Sequence, residues 1–199
     1  MLFQIYSLLL MFIFYGCYFL KMLKQKQQGI KTIQLGKDKK GYIRFIEIAM
    51  ELCSVVLPIV EFVSIITIDK SNILVQTIGA VIATIGVVVF IMSVITMRDN
   101  WRAGISQTDK TELVTDEIYG ISRNPAFLGF DLLYIGILCM FYNWTLLILT
   151  FITLVIFHIQ IVYVEERFLI SNFGEEYQNY KNKVNRYLGK NRKNYEEEN

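Results

Sequence analysis

The sequence predicts an all-α, polytopic transmembrane bundle of about five spans, and three observations carry that prediction. Apolar residues make up 54% of the 199-residue chain, and mean hydropathy is +0.40. The apolar residues fall in runs of roughly twenty, the length a helix needs to cross ~30 Å of hydrocarbon. The charges gather between those runs and in the tail. A soluble domain of this size would divide its core among shorter amphipathic pieces. A net charge of +2 gives no reason to expect a nucleic-acid partner.

The first run, 2–20, has no basic residue before it and no small-residue cleavage site after it, so it reads as a retained span. The second, 45–68, contains Pro58, which is expected to kink or break it. The third, 73–97, carries no charge, and Gly79 and Ala83 have the small-xxx-small spacing that lets helix backbones approach closely. The fourth and fifth, 126–142 and 144–164, are separated by little more than Asn143, which forces a tight helical hairpin. The fourth is barely long enough to span. Cys17, Cys53 and Cys139 lie in apolar segments without CxxC pairing, as small buried hydrophobes do, and no metal site is expected. No prenylation box closes the sequence, which ends Glu196-Glu197-Glu198-Asn199.

Basic residues set the orientation. Lys21, Lys24, Lys26, Lys31, Lys37, Lys39, Lys40 and Arg44 stand against Asp38 in the first loop, whereas the next turn holds only Asp69 and Lys70. Arg98, Arg102, Lys110 and Arg123 follow the third run, and Arg167, Lys181, Lys183, Arg186, Lys190, Arg192 and Lys193 fill the tail. Five spans put all three basic regions on one side, giving an integral cell-membrane protein with its C-terminus, and its polar clusters, facing the cytoplasm. In the tail, Phe173, Tyr177, Tyr180, Val184, Tyr187 and Leu188 recur at helical spacing. They predict an amphipathic helix that lies on the membrane surface, packs over a pocket, or both.

Polar residues concentrate in three clusters at the cytoplasmic ends of the spans. The first, Arg98 to Gly104, includes Trp101 and Arg102 and reads most simply as an interfacial anchor. In the second, Asn124 precedes Pro125 as an N-cap precedes a first helical turn. Arg123 beside that helix start makes an anion site suited to a carboxylate, and flanking Gly120 and Gly129 permit close approach. The third holds Glu165 and Glu166. His158, the sole histidine, is seven residues before Glu165 and shares its face on a regular helix. Ionisable groups at membrane depth usually face the bundle interior, so His158 is either a hydrogen-bonded interior residue or a functional one. Glu47 and Glu51 could face a polar cavity, and Glu61 is expected near the outer interface; none is assigned a catalytic role.

At these residues the chain resembles the isoprenylcysteine carboxyl methyltransferases and their relatives among phospholipid methyltransferases. The resemblance runs from about Arg98 to Leu188. It rests on Tyr119-Gly120-Ile121-Ser122-Arg123-Asn124-Pro125-Ala126-Phe127-Leu128-Gly129-Phe130 and on Glu165, Glu166, Leu169, Phe173, Gly174, Tyr177 and Tyr180. It implies a cytoplasmic pocket for S-adenosylmethionine without a Rossmann fingerprint, and a lipid or lipidated acceptor entering from the bilayer. Tyr119, Gly120, Arg123, Asn124, Pro125, Leu128 and Gly129 would line the cofactor cleft, with Trp101 and Arg102 beside it. Glu165 and Glu166 would offer carboxylates to the ribose hydroxyls or the ammonium. Residues 73–199 would form the methyltransferase core and residues 1–72 an N-terminal part that shapes the lipid entrance or mediates self-association.

Two departures bear on the acceptor. The family's Arg-His-Pro is Arg123-Asn124-Pro125 here, and Asn cannot carry charge. The Arg common ahead of the Glu pair is also missing, leaving Arg102 or His158 as substitutes. Methyl transfer needs alignment in a dry site. A carboxylate acceptor needs no base, which favours it slightly; an amine or thiol would draw on His158, Glu165 or Glu166. The catalytic candidates are therefore Arg123, Asn124, His158, Glu165 and Glu166. A non-enzymatic membrane protein with this fold, or a sterol-reductase-like oxidoreductase, are the competing readings.

Overall fold

The computed structural model describes residues 1–35, 39–68, 72–104 and 112–190. Lys37, Asp38, Asp69, Lys70, Lys110, Arg192, Lys193 and the final Glu196–Asn199, which entered the sequence reading, lie outside the described residues. Among the described residues six α-helices follow one another: α1 (Leu2–Gln27), α2 (Gly41–Thr67), α3 (Ile73–Met97), α4 (Pro125–Met140), α5 (Trp144–Gln160) and α6 (Glu166–Lys183). A π-helical turn, Ile161–Glu165, joins α5 to α6. The described residues contain no strand, only isolated bridges between Ile33 and Ala103 and between Val184 and Lys190. The all-α bundle is as expected.

Among the described residues, four helical runs are long and apolar enough to cross a membrane, namely α1, α2, α3 with its short extension, and α5 continuing into α6. The run through α6 is far longer than a bilayer needs, so Glu165–Lys183 projects beyond the apolar layer. Helix α4 has 16 residues, about 24 Å of rise. It nevertheless runs between the two ends of the bundle. At its start the Asn124 amide meets the tail, and at its end the Met140 carbonyl accepts from Gln76 Nε2 (3.4 Å) beside the start of α3. Protein surrounds it: Leu133, Tyr134, Ile137 and Met140 have no exposed surface.

Helices α3 and α4 touch through their backbones. A Cβ on Gly136 would stand 2.5 Å from the Ala83 nitrogen, and one on Gly86 would stand 2.6 Å from that of Leu133. Gly79 and Ala83 therefore sit in the close-approach seam that their spacing predicts. Inside a bilayer such packing, rather than expulsion of water, holds helices together. A ring cluster fills the space between α1, α3, α4 and α5. Phe14 stacks on Phe90 at 4.1 Å and meets Phe130 edge-on at 4.7 Å, and Phe157 packs against Phe127 and Phe130.

Several expectations shift. Helix α2 passes through Pro58 without interruption; one missing backbone bond does not end a helix whose neighbours Leu57 and Glu61 are fully buried. Glu61, less than two turns from the end of α2, is fully buried among the helices. Helices α1 and α2 extend two turns and one turn past their apolar runs, because polar turns outside the hydrocarbon carry no hydropathy signal. The amphipathic helix stops at Lys183, so Val184, Tyr187 and Leu188 lie on an irregular strap that turns back on itself. Within α6, Gly174 adopts φ +49° and ψ −120°, a conformation glycine takes without steric cost. There the chain changes direction.

The basic segments meet at one end of the bundle. Gln25 Nε2 donates to the Trp101 carbonyl (2.9 Å) and Thr32 Oγ1 to Gln25 Oε1 (2.7 Å). Gln34 N donates to the Ala103 carbonyl (2.9 Å) and Ala103 N to that of Thr32 (3.0 Å) across the same gap, and Arg167 Nη1 donates to Tyr42 Oη (3.0 Å). The α1–α2 loop is thereby tied to the segment after α3, and the start of α2 to α6.

Candidate active site

Two adjoining cavities open at this end. The larger, about 360 Å³, is walled by Tyr15, Tyr18 and Phe19 of α1, Met50, Glu51, Ser54 and Val55 of α2, Phe127 and Phe130 of α4, and Phe157 of α5. The smaller, about 100 Å³, lies towards Asn100, Glu112–Val114, Phe168, Phe173 and Tyr180. Met97, Arg102, Gly104, Tyr119, Arg123, Glu165 and Leu169 belong to both. A larger, strongly apolar chamber inside the bundle and a smaller, mixed chamber with Asn100 and Glu112 on its far side therefore share one wall, on which a guanidinium and a carboxylate stand.

Arg123 reaches that wall from the turn before α4. Its Nη1 donates to Tyr177 Oη (2.9 Å) and pairs with Glu166 Oε1 (2.9 Å), while its buried Nε has no partner among the described residues. Arg186 approaches Glu166 from the other side with Nε on Oε1 (2.8 Å) and Nη2 on Oε2 (3.1 Å). Burial works against ionisation of Glu166, but the Arg186 hydrogen bonds and both guanidinium charges outweigh it and hold the carboxyl below its ordinary range. Burial likewise pushes the Tyr177 phenol up to about 12, with Arg123 opposing. Tyr177 therefore stays neutral.

Glu165 has the opposite surroundings. Burial pushes its carboxyl up to about 7, against the hydrogen bond from Gln160 Nε2 (3.2 Å). The buried Lys39–Glu47 ion pair adds one raising and one lowering charge nearby. This end of the wall is a carboxylate poised near neutrality; the Arg123 end is a fixed positive charge.

Of the sequence candidates, Trp101, Arg102, Tyr119, Arg123, Asn124, Pro125 and Glu165 line the cavities. Trp101 is buried and meets Tyr18 edge-on at 5.3 Å. Asn124 Nδ2 is engaged by the Arg186 carbonyl (3.1 Å), a structural bond to the tail. Gly129 packs on Phe90 and Gly86 of α3, and Gly120 and Leu128 do not line either cavity. Glu166 is bound by two arginines instead of facing a chamber.

His158 is exposed, lies in neither cavity, and its Nδ1 shares a 2.6 Å hydrogen bond with Tyr187 Oη. The interior placement expected of it does not hold. The π-helical turn explains the difference, since its wider winding rotates Glu165 away from the face that a seven-residue α-helical spacing would share with His158.

Sequence reasoning missed Tyr15, Tyr18, Lys39 and Arg186. The tyrosines looked like ordinary span residues; only their helical spacing opposite bulky partners hinted at a lining. Lys39 and Arg186 sat among many loop and tail cations with nothing to single them out.

Comparison with known proteins adds identity to this geometry. The phospholipid methyltransferase family model matches residues 74–176, just over half of the chain. The chain is also 36% identical over 72 residues to the protein-S-isoprenylcysteine O-methyltransferase of Schizosaccharomyces pombe. That stretch is 36% of this chain and 30% of the relative, so the chain spans less than a third of the relative's length. Both matches fall on the kinship that the Arg123-Asn124-Pro125 and Glu165-Glu166 stretches suggest. The chain belongs to the phospholipid methyltransferase family.

Proposed function

We propose that this chain is an integral membrane S-adenosylmethionine-dependent methyltransferase acting on a lipid or lipidated acceptor, with its site facing the cytoplasm. The observation that carries the reading is the pair of chambers, one large and strongly apolar, the other smaller and of mixed lining, sharing the Tyr119–Arg123–Glu165 wall. Catalysis of a transfer between a polar donor and a lipid requires both to reach one point with water excluded.

The residues present fit the donor. Arg123 has a buried Nε without a partner among the described residues, suited to a carboxylate. Glu165 at the other end of the wall suits an ammonium or ribose hydroxyls. Tyr119, Phe168, Phe173 and Tyr180 offer flat apolar surface to a base. When bound, adenosylmethionine supplies an electrophilic methyl on a sulfonium. The chain's part is to fix that end, to hold the acceptor chain among Tyr18, Phe19, Val55 and Phe130, and to keep the junction dry.

A carboxylate acceptor is slightly favoured, because His158 lies outside the chambers and Glu166 is occupied by arginines, which removes two of the three candidate bases. A second reading, an amine or thiol acceptor, rests on Glu165, whose carboxyl near 7 is matched to accepting a proton. Isothermal calorimetry of detergent-purified protein with S-adenosylhomocysteine tests the cofactor. Saturable binding that weakens in Arg123→Ala and Glu165→Ala is expected, and no heat of binding would remove the reading.

A further inference from the structure

Arg186 lies on the strap after α6, beyond the residues matched by the family model. The fold delivers it to Glu166. Arg123 N donates to the Asn185 carbonyl (3.1 Å) and Gly189 N to that of Ile121 (2.9 Å). The Arg186 carbonyl between them accepts from Asn124 Nδ2 (3.1 Å) and, less closely, from Ser122 Oγ (3.4 Å). The strap is thus stitched along residues 121–124 by its own backbone. The Arg186 side chain is left to grip both oxygens of Glu166 as a fork, at 2.8 and 3.1 Å.

The charge count at this node is uneven, with two guanidiniums against one carboxylate. Arg123 spends Nη1 on Glu166 and Tyr177, and its buried Nε has no partner among the described residues. Arg123, not Arg186, lines both chambers, so the surplus charge is presented there. We propose that Arg186 is a positioning residue: by filling Glu166 with its own fork, it limits the hold of Glu166 on Arg123 to Nη1 and leaves the rest of that guanidinium to receive the carboxylate of an amino-acid-bearing ligand. This rests on the adenosylmethionine reading. Without Arg186, Glu166 Oε2 loses its donor, and Arg123 is the guanidinium already touching that carboxylate. A two-pronged pairing would draw in a second nitrogen of Arg123 and remove it from the wall.

The test compares two probes on the full chain in detergent by calorimetry. S-adenosylhomocysteine carries the amino-acid end; 5′-methylthioadenosine keeps the adenosine and thioether but lacks it. Wild type is expected to prefer the former. Arg186→Gln should lower that preference about tenfold or more while leaving 5′-methylthioadenosine binding unchanged. Arg186→Lys, a point charge without the fork, should lower it partly. Arg186→Gln combined with Glu166→Gln should restore it, because the competing carboxylate is gone. If Arg186→Gln does not fold, the Lys and double variants decide on their own. Equal weakening of both probes would make Arg186 a merely structural clasp and overturn the inference, as would an unchanged preference or a double variant without restoration. Wild type that binds neither probe would overturn the methyltransferase reading itself, and this inference with it.

Discussion

Glu165 and Glu166 are adjacent in sequence yet stand in opposite electrostatic surroundings, and most of the site's chemistry follows from that contrast. Glu166 between Arg186 and Arg123 is held ionised; Glu165, short of cationic partners, sits near neutrality. Their pH signatures should differ in sign. The lowered Glu166 pKa means that its stabilisation is complete above the ordinary carboxylate range and is lost as pH falls through its folded value. Thermal midpoints should therefore drop on acidification below about pH 4, and Glu166→Gln should lose that part of the slope. The raised Glu165 pKa means that the folded state holds its proton more tightly than the unfolded chain. Stability should decline as pH rises from its reference value of 4.5 to about 7, and Glu165→Gln should flatten that decline in the same melts. Both carboxylates were legible as candidates in the sequence. Their division of labour was not, because it depends on Arg186, which arrives from an irregular strap.

At the scale of elements, the α3–α4 seam sets the width of the bundle. Gly136→Val would place a side chain against Ala83 with no room to yield, and should lower stability by about 1–3 kcal/mol, read as a reduced thermal midpoint in detergent. Gly16→Ala in α1 is the control, since nothing lies within 4 Å of the added carbon; helix propensity alone should make it neutral or stabilising by up to about 1 kcal/mol. The bend in α6 depends on Gly174. Gly174→Ala should cost about 1–2 kcal/mol and loosen the packing of Tyr177, Tyr180 and Val184 on Leu113 and Leu169, which intrinsic fluorescence and limited proteolysis of the tail would report. The spans and the seam could be read from hydropathy and from Gly79 and Ala83, because both are periodic signals. The π turn leaves no such signal in Ile161–Glu165, so the inward His158 that a regular helix predicts is instead an outward one bonded to Tyr187.

At the scale of the whole molecule, three separated basic segments and the two stretches around Arg123 and Glu165 come together at one end of the bundle. We propose from the positive-inside rule that this end faces the cytoplasm. A single cysteine introduced at Lys26 in a background lacking Cys17, Cys53 and Cys139 should resist a membrane-impermeant maleimide in intact cells and react after lysis. Labelling in intact cells would reverse the orientation. Helices α1 and α2, outside the family match, supply Tyr15, Tyr18, Met50 and Val55 to the apolar chamber, so acceptor selection should respond to their substitution while adenosylhomocysteine affinity does not. Their hydrophobic segments are plain in the sequence. Their part in the chamber is not, because it arises from contacts between distant helices. The most direct measurement of the central claim is transfer of label from methyl-labelled S-adenosylmethionine into a total membrane extract, followed by organic–aqueous partition. The account predicts label in a lipid of the organic phase or in a lipidated product, lost in Arg123→Ala and Glu165→Ala. Label absent from both, or undiminished in both variants, would contradict it.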